Sequence, residues 1–451
     1  MLVHVPDHGS ETQQATYSIY RGASASGDKT VTRTINAKSH WEQQRHRWVS
    51  LGVFDFNGIP EISLSNMTRS GEGTKGWSGQ HNIAWDAVAI QPLPRKPKNF
   101  VVALGDSFSS GEGAVSEYED GTDYDRETDM SGHSEEGNQN ACHRSKWAWS
   151  RKATLNDQPE WLIGGRETNL DNDLDYHMVA CSGAQTENVI AYGTENAWGE
   201  GSTSQRDTTT EVPQIESGFL DQNTTLVTLS IGGNDAGWSG VVLHCLKNGN
   251  CPSTTMEGTS GPLSEVLPQR IHDQVIPSVE TVLEQIHTRA PNAKIILMGY
   301  PRLISDNGDC LDVDVWIPFL NKTLGFGLSG DETAWLNDMA DYFAERMDAL
   351  AVSLRNLGTP VWFADPRDYY ERKALCGDPP GINFAIVTFT PGENPDAELC
   401  DYVERFSWFD ECPHSQWRLG LSSQSFHPNL NGTTFYANAL MDVLRRPEID
   451  Q

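Results

Sequence analysis

The run Phe100-Val101-Val102-Ala103-Leu104-Gly105-Asp106-Ser107-Phe108-Ser109-Ser110-Gly111-Glu112-Gly113 decides the fold of this chain. It opens with an unbroken apolar stretch, as expected of a strand covered on both faces in a parallel sheet. It then breaks into small residues around a serine, with a helix expected to follow. A serine at the carboxyl end of a parallel strand stands where open α/β sheets place their sites, and its own N–H can point at a developing oxyanion. A helix-capping serine in a Gly-rich turn has the same local look, so the rest of the chain must decide.

Working outward, four more apolar strands are expected at residues 177–180, 226–231, 294–298 and 360–363, separated by helical stretches. Ile271, Val275, Val279, Val282 and Ile286 recur at helical spacing and form one apolar face, which Pro291-Asn292 ends. Before residue 90 the grammar is different. Short alternating runs at 15–20, 30–35, 47–54, 61–64 and 85–90, punctuated by Gly, Asn and Asp, predict a small antiparallel β-sandwich. The Pro-rich segment 91–98 between the two parts reads as a stiff linker. The expected domains are therefore 1–92 and 99–451. Trp41, Trp48, Trp77 and Trp85 of the front part are expected mainly as core aromatics, with a sugar-stacking platform as the alternative.

The 451 residues carry 33 Lys and Arg against 62 Asp and Glu, a formal net charge of −29, which disfavours nucleic acid as a partner. The acidic stretch 117–136 reads as a solvated insertion, since it lacks the spacing of a calcium loop. Eight cysteines, at 142, 181, 245, 251, 310, 376, 400 and 412, all lie beyond the front part. An even count confined to one domain predicts disulfides and an extracellular setting, and the spacing shows no CxxC pair that would predict a metal site. No apolar run is long enough to span a membrane. The chain opens directly in strand-like Leu2-Val3-His4-Val5 without a leader, so an export signal is expected upstream in a longer protein.

Three further blocks carry candidate chemistry. Ala180-Cys181-Ser182-Gly183-Ala184 follows the second expected strand, and Ile231-Gly232-Gly233-Asn234-Asp235 follows the third. The Gly183 amide and the Asn234 side chain join the Ser107 amide as three converging donors, the makings of an oxyanion hole. Near the end stands Ser425-Phe426-His427-Pro428-Asn429. A serine nucleophile needs a base to take its proton, and His427 is the candidate.

Together GDSFSSGEG, the glycine of ACSGA, GGND and FHPN resemble the SGNH, or GDS-type, hydrolases over roughly residues 99–445. The resemblance implies a flavodoxin-like three-layer α/β/α fold with a five-stranded parallel sheet, and hydrolysis of carboxylic esters without metal or other cofactor. It makes Ser107 the nucleophile, His427 the base, and Ser107, Gly183 and Asn234 the oxyanion donors. The segments around Cys142 and Cys181 look like those of secreted actinobacterial members in which these two cysteines pair. Proximity in sequence adds the pairs Cys245–Cys251, Cys310–Cys376 and Cys400–Cys412. The family often places an aspartate three residues before the histidine, whereas this chain has Gln424. The expectation is that the Gln424 backbone carbonyl orients His427, with Asp410 as a distant alternative. The front part is similar, more loosely, to the golvesin-type accessory domain, a galactose-binding-like sandwich that would direct the enzyme to a glycan. Lipid or simple acyl esters are the expected substrates. The alternatives are a polysaccharide O-deacetylase and a glycan-binding protein with an inactive core. Because every catalytic block follows the linker, removal of the front part is expected to cost little activity on a small ester.

Overall fold

The computed structural model describes residues 1–6, 10, 12–24, 27–37, 47–66, 83–116, 123–128, 142–191, 211–305, 313–317, 322–384, 387–388, 420–421 and 424–449. Five parallel strands form the central sheet: β7 (Asn99–Gly105), β8 (Leu174–Met178), β9 (Leu226–Ser230), β10 (Lys294–Met298) and β11 (Val361–Ala364), numbered after six strands of the front part. Their spatial order is β8-β7-β9-β10-β11. In chain order this is 2-1-3-4-5, the doubly wound flavodoxin-like arrangement, whose sites lie beyond the carboxyl ends of the strands. The strand sequences explain their place: Val101, Val102, Ala103 and Leu104 of β7 and Val227 and Leu229 of β9 are all within 2% of complete burial.

One strand starts earlier than its sequence suggested. The apolar run at 177–180 marks only the end of β8, whose inward residues Leu174 and Tyr176 alternate with the polar Asp175 and His177. The polar pair masked the strand because Asp175 and His177 bond each other, Nε2 to Oδ1 at 2.9 Å, against the front part.

The helices are α1 (Ser107–Ser110), α2 (Trp149–Lys152), α3 (Ile163–Thr168), α4 (Thr186–Val189), α5 (Gly233–Ala236), α6 (Trp238–Lys247), α7 (Leu263–Arg270), α8 (Ile276–Arg289), α9 (Gly330–Asn356) and α10 (Leu430–Leu444). They pack as two groups, α2 with α3 and α10, and α4 with α8 and α9, which form the layers on either side of the sheet. Ile271, Val275, Val279, Val282 and Ile286 are all fully buried. They do not lie on one uniform helix, however. Residues Ile271–Val275 form a π-helical turn in which Ile276 N donates to Ile271 O. Pro277 has no N–H to continue the ordinary ladder, which accounts for the widened turn just before it.

The front strands β1 (Leu2–Val5), β2 (Ala15–Ser24), β3 (Gly27–Ile35), β4 (Arg47–Ser50), β5 (Glu61–Leu64) and β6 (Val88–Ala89) make two small antiparallel sheets, ordered β4-β1-β6 and β3-β2-β5. Trp48 and Trp85 are each 51% exposed, so they are not the core aromatics expected; Trp48 lies on an edge strand with its ring outward. Trp41 and Trp77 lie outside the described residues.

The two parts meet along a seam of buried charge. Arg33 of β3 donates Nη2 to Asp221 Oδ2 at 2.8 Å, Nη1 to Gly218 O and Nε to Leu51 O, with Phe54 and Phe219 on its faces. Val53 N donates to Asp175 Oδ2 at 2.9 Å. Burial pushes the Asp175 carboxyl up, but His177, the Val53 amide and Arg33 outweigh it and hold it below the usual range. Arg47 pairs with Glu127, and Asn36 Nδ2 reaches Glu211 Oε1, whose carboxylate also takes Arg144. The linker is pinned as well: Arg95 pairs with Asp173, and Lys96 Nζ reaches Asn223 Oδ1 at 2.6 Å.

Cys142 is joined to Cys181, and Cys245 to Cys251. Cys376 is also disulfide-bonded, while Cys310, Cys400 and Cys412 lie outside the described residues. Of the acidic stretch, 123–128 is described and is not solvated throughout. Asp123 is 3% exposed and accepts from Trp147 Nε1 at 3.0 Å and pairs with Lys146. Among the described residues no helix is long and apolar enough to cross a membrane.

Candidate active site

Strand pairing continues past the strand ends and brings three loops together. Gly105 is in register with Ser230, and Asp106 N donates to Ser230 O at 3.0 Å. On the other side Cys181 N donates to Gly105 O at 3.0 Å. The segments after β7, β8 and β9 therefore leave the sheet side by side.

Asp106 turns the chain. Its Oδ1 accepts from Phe108 N at 3.1 Å and caps α1, so that Ser107 becomes the first residue of the short helix. Asp106 is 1% exposed, and burial pushes its carboxyl up to about 6 despite hydrogen bonds from Tyr300, Ser230 and backbone amides that favour the charged form. Ser107 is 6% exposed.

His427 reaches this serine from the other end of the chain. Asn429 caps α10 by accepting from Asn431 N and Gly432 N, at 2.9 and 3.1 Å, and this fixes the loop that carries the histidine. The ring is set with Nε2 2.8 Å from Ser107 Oγ and Nδ1 3.1 Å from Ser425 O. Phe108 packs beside it at 5.3 Å between ring centroids. With Nδ1–H donated to a carbonyl, Nε2 keeps its lone pair toward the hydroxyl, so the pair can pass a proton from Ser107 to His427.

This corrects the reading of Gln424. The Gln424 carbonyl accepts instead from His427 N at 3.3 Å and from Asn383 Nδ2 at 3.1 Å. The one-residue difference comes from Phe426, whose φ of 62° lies in the left-handed region and turns the ring toward the carbonyl of Ser425. Asp410 lies outside the described residues.

Gly183 and Asn234, the two other expected oxyanion donors, follow the neighbouring strands. Ala184 N donates to Cys181 O, closing a tight turn with Gly183 at φ 77°, and open space stands where a side chain at 183 would be. Asn234 Nδ2 donates to Ala184 O at 2.9 Å, leaving its second amide hydrogen for a ligand. Asp235 holds the same two loops together by accepting from Thr186 N at 3.1 Å and from Thr186 Oγ1 at 2.5 Å.

Two supporting residues, Asn383 and Tyr300, belong to no motif read from the sequence, and two more, Glu112 and Gly113, close the GDSFSSGEG block without a role assigned from it. Asn383 donates Nδ2 to Gly113 O at 3.0 Å and to Gln424 O, while its backbone exchanges hydrogen bonds with Phe426 and His427. It thereby ties the histidine loop to the turn that carries Ser107. Gly113 allows this approach, since a Cβ there would stand 2.7 Å from Asn383 Nδ2 and 3.0 Å from His427 Cβ. Glu112 is buried beneath the turn, bonded by His143 Nδ1 and, at 3.1 Å, by Tyr124 O–H, which itself accepts from Gly113 N. Tyr300 O–H donates to Asp106 Oδ2. A lone polar residue outside a Gly-rich block gives no sequence signal of such a role.

A doubly wound sheet with a serine–histidine pair at its carboxyl edge defines the class as an α/β protein built for acyl chemistry. The chain belongs to the GDSL-like lipase/acylhydrolase family, whose model matches residues 103–374, more than half of its length. It is 26% identical over 314 residues to a lipase of Streptomyces rimosus, covering 69% of this chain and 86% of that protein. With lipase 1 of Streptomyces coelicolor the identity is 24% over 284 residues, covering 62% and 75%. Among solved structures, phospholipase A1 from Streptomyces albidoflavus superposes with a TM-score of 0.46 at 20% identity, covering 76% of this chain and 98% of that one.

Proposed function

We propose that this protein is a secreted serine ester hydrolase acting through an acyl-enzyme, with Ser107 as nucleophile and His427 as general base. The observation that carries the reading is the 2.8 Å contact between Ser107 Oγ and His427 Nε2 at the carboxyl edge of the sheet. In the first half-reaction Oγ forms a bond to the ester carbonyl carbon while its proton passes to Nε2. The carbonyl oxygen becomes an oxyanion, stabilised by the Ser107 and Gly183 amides and the Asn234 side chain. Its collapse breaks the bond to the alcohol oxygen, which leaves with the proton from Nε2. Water then repeats the sequence on the acyl-enzyme, losing a proton to Nε2 and releasing the acid and Ser107.

The Ser425 carbonyl, 3.1 Å from Nδ1, fixes the tautomer that leaves the Nε2 lone pair for the serine proton. The two disulfides among the described residues support an oxidising, extracellular setting. Family membership supports an ester as the substrate. Lipid or simple acyl esters are the first reading, and the exposed Trp48 and Trp85 favour a second, a polysaccharide deacetylase whose golvesin-like front part holds glycan. Hydrolysis of p-nitrophenyl esters from acetate to palmitate, run beside phospholipid and acetylated xylan, tests both. Turnover of the activated esters with preference for the lipid supports the first reading; preference for xylan supports the second. No turnover of any of them contradicts the assignment.

A further inference from the structure

We propose that Tyr300 is a positioning residue that sets the oxyanion hole by tying the Asn234 loop to the nucleophile turn through Asp106. The inference rests on the hydrolase reading above, because it concerns how that site is aligned.

The donors of the proposed oxyanion hole come from three separate loops, and electrostatic stabilisation of a transition state depends on their mutual placement being held before the substrate arrives. The nucleophile turn and the Asn234 loop are linked by one hydrogen-bonded chain. Gly233 N donates to Tyr300 Oη at 3.1 Å, and the Tyr300 hydroxyl donates to Asp106 Oδ2. Asp106 adjoins Ser107, and Gly233 adjoins Asn234, so the chain ends one residue from a proposed donor on either side. The other carboxylate oxygen accepts from Ser230 Oγ at 2.7 Å and from Phe108 N, which fixes the carboxylate against rotation.

The direction of each bond is determined. A phenol has one proton, and giving it to a carboxylate leaves the oxygen to accept from the Gly233 amide. Burial and the neighbouring Asp106 carboxylate both raise the Tyr300 pKa well above the usual phenol range, which keeps that proton in place. The ring is held too, stacked on Phe343 at 5.6 Å and edge-on to Phe108 at 5.1 Å. Gly233 eases the approach, since a Cβ there would meet the Tyr300 ring and hydroxyl at 3.1 to 3.2 Å and push them back by a few tenths of an ångström.

The test is a double-mutant cycle of Tyr300→Phe and Asn234→Ala, assayed on p-nitrophenyl butyrate. Tyr300→Phe keeps the ring and removes only the bridge. The expected result is a fall in kcat on the order of 10²-fold, the scale of a small misplacement in a site, with KM changed less than about threefold. In the Asn234→Ala background the same substitution is expected to cost far less, because its main beneficiary is gone. Tyr300→Trp, which replaces the phenol but not its hydrogen-bond geometry, is expected to fail to restore kcat. Three results overturn the proposal: a kcat for Tyr300→Phe within about twofold of the parent, a loss fully additive with Asn234→Ala, or a rise in KM that accounts for the whole loss. Asp106→Asn, which cannot accept at both oxygens, supplies the second variant if Tyr300→Phe does not fold, and the same outcomes decide. A parent protein that neither turns over the ester nor reacts at Ser107 removes the hydrolase reading and this proposal with it, whereas an active parent with an unaffected Tyr300→Phe removes the positioning role alone.

Discussion

The carboxyl edge of the sheet and the seam under the front strands are both built from residues distant in sequence, yet they follow opposite electrostatic plans. At the edge, Asp106 takes hydrogen bonds from a serine hydroxyl, a phenol and a backbone amide. At the seam, carboxylates take guanidinium groups: Arg33 on Asp221, Arg47 on Glu127 and Arg95 on Asp173. Neutral donors fix geometry without adding a charge beside the reacting serine, whereas paired charges provide cohesion at the cost of dependence on every partner. The comparison leads to the expectation that rate and stability separate here, with the front part contributing to the stability of the whole. It lends two arginines, and the linker a third, to acids of the hydrolase part in a chain that is strongly acidic overall.

Removing the proposed base gives the largest expected effect at the edge. His427→Ala is expected to lower kcat/KM by about 10²–10⁴-fold with little change in melting temperature. A similar loss of melting temperature would break the separation, because the site would then be structural as well.

Changes at the seam are expected to do the reverse. Arg33→Met removes a buried cation and leaves Asp221 without its guanidinium, at a cost of roughly 3 kcal/mol and several degrees in Tm. Initial rates on a small ester at low temperature are expected to stay within about twofold of the parent. Deletion of residues 1–95 removes all three arginines and exposes Phe219, so poor folding is expected, contrary to what the position of the motif blocks suggests. A deletion variant with the parent's Tm and activity would show that the seam is superficial.

A smaller effect separates the two kinds of carboxylate by pH. Burial lifts Asp106 from 3.8 to about 6, so between these values the folded chain holds a proton that the unfolded chain has lost. The stability contributed by this group is therefore present below its ordinary value and is lost as pH rises through about 6. Denaturant unfolding of Asp106→Asn between about pH 4 and pH 7 is expected to lack that part of the decline. An unchanged pH profile would mean that Asp106 does not titrate in this range. The smallest effect belongs to Gln424→Ala, expected to be near neutral in rate because the substitution keeps the carbonyl that accepts from Asn383 and the His427 amide. A large loss would restore the side chain to the mechanism.

Much of the edge was legible in sequence because each piece is local. Apolar runs mark strands buried on both faces, and small residues mark where a chain must turn sharply at a strand end. The failures share a cause. The start of β8 was hidden because Asp175 and His177 satisfy each other across a seam that only the tertiary structure creates. The choice of Ser425 over Gln424 depends on one left-handed residue, Phe426, which no pattern announces. Asn383 and Tyr300 act through hydrogen bonds to partners far along the chain, and Arg33 meets Asp221 across 188 positions. Complementarity of that kind has no periodicity to read.

The central claim, that Ser107 is a nucleophile activated by His427, is tested most directly by reaction with a fluorophosphonate followed by peptide mass spectrometry. The account predicts one equivalent of label on Ser107, none on Ser107→Ala, and slow labelling of His427→Ala. Label on another residue, or none on a folded parent protein, would contradict it.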